Sequence, residues 1–240
     1  VEVWERSDRA GGQVHLAVAA PDKEEVRPAW TWRYDQALAL GARLRCGVTP
    51  SAALIRDHRP DHILVATGAV PRALALEGAA PLQAWDVIAT PDLVARGLRV
   101  AIIGGGIVGL EVAEILTLRD CRVTILEAQK TLAPQMARNN RTDLTLRLRA
   151  AGALFHTGAS ATRVSDGELH FSAAGVHHAL AVDCIIAAIG AVPNRDVLAE
   201  VEATGIAFTL IGDCNQPGDF LSVLRDASMT ALALDERLPA

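Results

Sequence analysis

Aromatic side chains are scarce, at 4% of 240 residues, and much of the apolar half of the composition is alanine. That balance disfavours an aromatic-rich sandwich core and favours closely packed helix-on-sheet layers. No apolar run approaches the roughly 18 residues of a membrane-spanning helix. The longest, Cys184 to Val192, has nine residues and includes a glycine, so no membrane partner is expected. The net charge is −5 and no basic cluster stands out, which leaves no electrostatic footprint for nucleic acid. Four cysteines, Cys46, Cys121, Cys184 and Cys214, stand far apart with no C-x-x-C and no metal spacing. They read as reduced, mostly buried thiols of a cytoplasmic protein, and no metal site is expected. The seven histidines are scattered, and His177-His178 reads as surface.

What is present is a series of short β-branched runs bounded by turn residues. Val1–Trp4, His62–Ala66, Arg99–Ile103, Arg122–Leu126, Ala181–Ala188 and Phe208–Ile211 read as parallel-sheet strands. Helical patterns fall between them. Trp32–Gly41 and Asn140–Gly152 each end on a glycine, and Gly106–Asp120 opens on a glycine loop. Strand, helix and strand in alternation mean crossover units. Asp166-Gly167 and Ala174-Gly175 punctuate Thr162–Ala181 as a small antiparallel meander. The length suits one large domain or two of roughly 100–150 residues.

The strongest local signal is Arg99-Val-Ala-Ile-Ile-Gly-Gly-Gly-Ile-Val-Gly-Leu-Glu. A strand runs straight into Gly104-x-Gly106-x-x-Gly109 and then a helix. In such a loop Gly104 makes the tight turn, Gly106 admits a pyrophosphate, and Gly109 lets the helix pack on the strand. The helix N-terminus then offers free N–H groups to the phosphates. Glu127 closes the next strand, 18 residues after Gly109. A carboxylate there accepts both ribose hydroxyls and repels a 2′-phosphate, which favours NAD(H) over NADP(H).

The first residues repeat the far half of that unit, because Val1-Glu-Val-Trp-Glu5 is a strand ending in an acid. The chain starts without methionine, already inside the strand, and is expected to be a fragment. A strand, a first glycine loop and a helix are expected before it, and Glu5 would bind a second adenosine ribose. Further motifs stand in order along the chain: Gly11-Gly12-Gln13, Ala66-Thr67-Gly68 before Val70-Pro71, Ala188-Ile189-Gly190 before Pro193-Asn194, and Ile211-Gly212-Asp213. Together they resemble two-dinucleotide flavoproteins. More narrowly, they resemble the C-terminal half of NADH:flavin oxidoreductases of the 2,4-dienoyl-CoA reductase and trimethylamine dehydrogenase type, in the old yellow enzyme class.

That resemblance implies an α/β fold of two Rossmann-like, doubly wound domains, one inserted in the other. Residues 1–94 and 191–240 would bind the flavin nucleotide, FAD or ADP, without its first glycine loop. Residues 95–190 would bind NAD(H). Glu5, Gly11, Gly12, Gln13, Ala66, Thr67, Gly68, Gly212 and Asp213 would line the flavin side, with Asp213 on the ribityl or phosphate region, and Gly190 would also be cofactor-binding. Gly104, Gly106, Gly109 and Glu127 would hold NAD(H). Arg225 and Asp226 would cap or contact the flavin, or else lie in surface ion pairs. The implied cofactors are FAD and NAD(H), with FMN and a 4Fe-4S cluster in an N-terminal barrel that acts on an enoyl or amine substrate. That barrel, or an electron-acceptor protein, is the implied partner. No side chain is an obvious acid, base or nucleophile, so no catalytic residue is assigned. The redox cysteine pair of the disulfide reductases has no counterpart. The rival expectation is a redox-silent module whose flavin-type site holds only ADP.

Overall fold

The computed structural model describes residues 1–235; the last five residues of the expected 191–240 segment lie outside the described residues. The chain divides into two compact units and passes between them repeatedly. One contains Val1–His15, Arg27–Val70 and the stretch from Ala191 onward; the other contains Leu16–Val26 and Pro71–Gly190.

The second unit is built on a five-stranded parallel sheet. Its order is Leu82–Gln83, Cys184–Ala187, Arg99–Ile103, Arg122–Glu127, Leu154–Thr157. Side chains alternate between faces along each strand. Val100, Ile102, Val123, Ile125 and Ile186 enter one core with the helices Ala84–Ala89, Ile107–Thr117 and Arg138–Ala150. Ala101, Ile103, Leu126 and Ile185 enter another with Leu169 and Phe171. That second face is covered by an antiparallel meander, Ala159–Ser165, Glu168–Ala173 and Val176–Ala181. Its turns fall at Asp166-Gly167 and Ala174-Gly175, all four with positive φ. Burial on both faces explains why these strands read as continuous apolar runs.

The first unit carries two parallel pairs. Glu2–Glu5 pairs with Arg43–Cys46, and Ile63–Val65 pairs with Phe208–Leu210. Trp4, Ile63, Phe208 and Leu210 pack against one small core of Ile55, Val65, Val201 and Cys214. Among the described residues, Glu2–Glu5 and Ile63–Val65 each have a strand on one edge only. The helix Val26–Ala39 begins six residues before the expected Trp32, because Pro28 falls in its first turn, where a missing N–H costs nothing. Gly41, at φ +88, ends it as expected.

Two expectations are corrected. Residues 71–94 belong with the second unit, because Ala84, Val87, Ile88 and Val94 lie in the same core as Val100 and Ile102. Leu16–Val26 joins that unit as well. The expected strand Ala181–Ala188 is two: Ala181 ends the meander and Cys184–Ala187 enters the parallel sheet. Asp183 sits between them because its carboxylate accepts from the Arg99 backbone N–H at 2.8 Å and from the guanidinium at 3.0 and 2.5 Å. Of the thiols, Cys121 and Cys214 are buried, but Cys46 is exposed. No described helix is long and apolar enough to cross a membrane.

The Arg99 hydrogen bonds hold the Asp183 carboxyl down to about 2 from its ordinary 3.8. A depressed carboxylate contributes stability above its unfolded value and loses it as pH falls through the folded one. Asp183→Asn is therefore expected to melt below the parent at pH 7, with the gap closing as pH falls from 3.8 to about 2. A melting-temperature difference constant across that window would contradict the assignment.

Candidate functional site

In the second unit, the strand Arg99–Ile103 and the helix Ile107–Thr117 are joined by a loop whose glycines do different things. At Gly104, φ is +109 and a Cβ would overlap the Ala188 carbonyl. At Gly109 a Cβ would overlap the Gly104 carbonyl and sit 3.4 Å from the Ala188 Cβ. The helix, the strand end and the Ala188-Ile189-Gly190 turn therefore touch backbone to backbone. Gly106 is different, because nothing lies within 4 Å of where its Cβ would be. It opens the helix, and the first helical bond, Leu110 N to Gly106 O, leaves the N–H groups before it without helical partners. Open space beside free N–H groups fits a pyrophosphate.

Glu127 is 9% exposed and its side chain is already committed. Oε2 accepts from Gly105 N and Oε1 from Gln129 N, each at 2.7 Å. A carboxylate offers about four acceptor positions, so each oxygen keeps capacity for a hydroxyl. Gly105, which the spacing pattern passes over, is closely packed here: a Cβ would meet the end of the Leu132 side chain at 2.5 Å and the Glu127 Cβ at 3.0 Å. Its only sequence signal is its place in the middle of three consecutive glycines.

Glu5 in the first unit reproduces this arrangement. Its Oε1 accepts from Ser7 N at 2.7 Å, as Glu127 accepts from Gln129. Gly47 N then donates to Ser7 O at 2.8 Å, as Gly158 N donates to Gln129 O at 2.9 Å. Glu5 is in register with Cys46, just before Gly47, and Glu127 with Thr157, just before Gly158. Gly47 and Gly158 both have positive φ. Two strand ends far apart in sequence thus share one backbone design around a carboxylate.

The other residues of the first unit expected at the flavin gather by hydrogen bonds across long sequence separations. Gln13 Nε2 donates to Ala69 O at 3.0 Å, and a Cβ at Gly68 would sit 2.9 Å from that nitrogen. Gly11 (φ +118) lies against His15 and Trp30, whereas Gly12 faces open space. Thr67 Oγ1 donates to Asn194 O at 2.6 Å, and Asn194 N donates to Gly68 O at 2.9 Å. Asn194, 4% exposed, also gives Nδ2 to Thr67 O and takes Asp196 N on Oδ1. Ala66 is exposed beside them. Asp213 lies in the turn Gly212–Cys214 and accepts from Gly218 N at 2.9 Å. Gly190 remains with the second unit, where its carbonyl accepts from Arg72 N at 2.9 Å.

Two glutamates on the glycine helix itself, Glu111 and Glu114, are engaged in ion pairs. Glu111 pairs with Lys23 at 3.4 Å, and Glu114 with Arg147, which also meets Asp22 at 3.5 Å and Asp143 at 3.1 Å. Burial pushes both glutamate carboxyls up, against the pull of Lys23 and Arg147. These pairs bind the 16–26 segment to the second unit. Among the described residues, no three His, Cys, Asp or Glu side chains are grouped to hold a metal ion.

Residues 53–214 match the profile of the pyridine nucleotide-disulphide oxidoreductases. Over 219 residues the chain is 29% identical to a bilirubin reductase of Mediterraneibacter gnavus, covering 90% of this chain and 34% of that protein. Over 238 residues it is 28% identical to an NADH oxidase of Thermoanaerobacter brockii, covering 96% and 37%. The fold is similar to that of histamine dehydrogenase from Rhizobium sp. 4-9, with a TM-score of 0.87 at 16% identity over 100% of this chain and 40% of that one. The chain thus spans little more than a third of the curated relatives it matches.

The two kinds of glycine give opposite expectations. Gly109→Ala forces the helix off the strand and should destabilise by about 2 kcal/mol or more. Gly106→Ala points into open space and should stay within about 0.5 kcal/mol of the parent. Chemical denaturation of both variants checks this, and equal losses would contradict the geometry.

Proposed function

The chain belongs to the pyridine nucleotide-disulphide oxidoreductase family, and from that premise we propose that it is the nucleotide-binding portion of an NADH:flavin oxidoreductase. The observation that carries the reading is the repeated carboxylate design at Glu5 and Glu127. One such end stands beside a glycine loop with open space at Gly106, which suits NAD(H). The other stands in the unit that carries Gly11-Gly12-Gln13, Ala66-Thr67-Gly68 and Gly212-Asp213, which suits FAD. When bound, NADH supplies a hydride and FAD accepts it, and the protein's part is to hold and orient both.

Glu127 holds the adenosine ribose hydroxyls of NAD(H) and disfavours a 2′-phosphate. Gly104, Gly106 and Gly109 bring the backbone N–H groups to the pyrophosphate. Glu5 holds the ribose of the flavin nucleotide, and Asp213 holds its ribityl or phosphate region. The free edges of Glu2–Glu5 and Ile63–Val65 support a further strand between them, carrying the first glycine loop of the flavin site. The relatives' greater length supports a longer parent protein, and in this reading an FMN and 4Fe-4S barrel outside the chain would perform the substrate chemistry on an enoyl or amine compound. Gln13, Thr67, Gly68 and Asn194 keep the flavin-side turns in place.

The test is anaerobic mixing of the purified holoprotein with NADH while flavin absorbance is followed. Bleaching on the timescale of turnover supports the proposal. A colourless protein carrying ADP, or a flavin that NADH leaves oxidised, overturns the redox reading. Glu127→Ala is expected to raise KM for NADH by about tenfold while kcat stays within about twofold, because it removes binding shared by ground and transition states. Loss of kcat at unchanged KM would contradict that role.

A further inference from the structure

The turn Gly212–Cys214, which carries Asp213, begins where a strand ladder runs out. Phe208, Thr209 and Leu210 pair with Ile63, Leu64 and Val65, and Ile211 N still reaches Val65 O at 3.0 Å. Gly212 is buried and comes next. Its N–H is taken by the carboxylate of Asp226, 2.6 Å away, on the helix Phe220–Asp235. A buried backbone donor without an acceptor is strongly disfavoured, so this carboxylate decides where the chain can go after Ile211. Val223, one turn earlier on that helix, closes the contact, with Cγ1 3.2 Å from where a Gly212 Cβ would be. At φ +62, Gly212 meets both demands where an L side chain would be strained.

The turn in turn fixes Asp213. Gly212 O accepts from Asn215 N at 2.9 Å and from Gln216 N at 3.0 Å, and Asp213 Oδ1 accepts from Gly218 N at 2.9 Å. Cys214 Sγ donates to Val65 O at 2.8 Å, which secures the far side. No ion pair engages Asp226 among the described residues; the Gly212 N–H is its bonded partner.

We propose that Asp226 is a positioning residue: by holding the Gly212 N–H it aims Asp213 at the ribityl and phosphate part of a flavin nucleotide. This rests on the reading of the first unit as the flavin site. The test uses deflavinated holoprotein and FAD dissociation constants from flavin fluorescence. Asp226→Leu is expected to weaken FAD binding by about tenfold, whereas Asp226→Asn, which keeps an acceptor in place, stays within about threefold. The deciding readout is a cycle with Asp213→Ala. Because Asp226 acts through Asp213, Asp226→Leu should cost less than about twofold in the Asp213→Ala background. Equal losses in both backgrounds overturn the positioning role, as does an asparagine variant as weak as the leucine one. If Asp226→Leu does not fold, Asp226→Ala, which also removes the acceptor, runs the same cycle. A parent protein that takes up no FAD overturns the flavin reading instead, a result distinct from an additive cycle.

Discussion

A glutamate that ends a parallel strand and accepts the N–H two residues later is the constraint on which both halves of this protein depend. Ser7 supplies that N–H to Glu5 and Gln129 supplies it to Glu127, each at 2.7 Å. A glycine beyond the neighbouring strand then closes on the same turn. Hydrogen bonds to a charged acceptor contribute roughly 1.5–3 kcal/mol, enough to settle a carboxylate rotamer before a ligand arrives. Such preorganisation matters for ribose recognition, because hydroxyls must meet an acceptor whose orientation is already fixed.

These locks hold only because the strands beneath them cannot slide. Along Arg99–Ile103, Val100 and Ile102 face the helices while Ala101 and Ile103 face the meander. A slip of one residue would exchange the two sets and expose every one of them to the wrong layer. The glycine loop adds a second stop, since Gly109 and Gly104 meet without room for a methyl group. Against this frame the glycine helix buries two carboxylates, Glu111 and Glu114, a cost that Lys23 and Arg147 offset only in part. The 16–26 segment is held to the second unit by those same cations.

The glycine loop, Glu127 and the meander were legible in the sequence because each is local. Spacing, turn residues and β-branched runs lie within a few positions of one another, and Arg99–Ile103 matches its expected bounds. Arg43–Cys46 and Leu154–Thr157 gave no such signal. They are short and partly polar, and exist as strands because Glu2–Glu5 and Arg122–Glu127 present edges to them. The allegiance of residues 16–26 and 71–94 was equally hidden, since it depends on ion pairs and on burial of Val87 and Val94 far from their sequence neighbours. Asn194 and Asp226 stood near recognisable motifs. What they do became readable only once Thr67 and Gly212 were brought beside them by the fold.

On the proposed reading, Glu5 and Glu127 are equivalent ends for two different adenine dinucleotides. A crystal structure of the holoprotein soaked with NAD+ tests it most directly. Two adenosine riboses per chain are expected, one with its hydroxyls on the Glu127 carboxylate and one on Glu5, each glutamate keeping its bond to Gln129 or Ser7. A single ribose on Glu127, with Glu5 turned to solvent and the flavin held elsewhere, would contradict it.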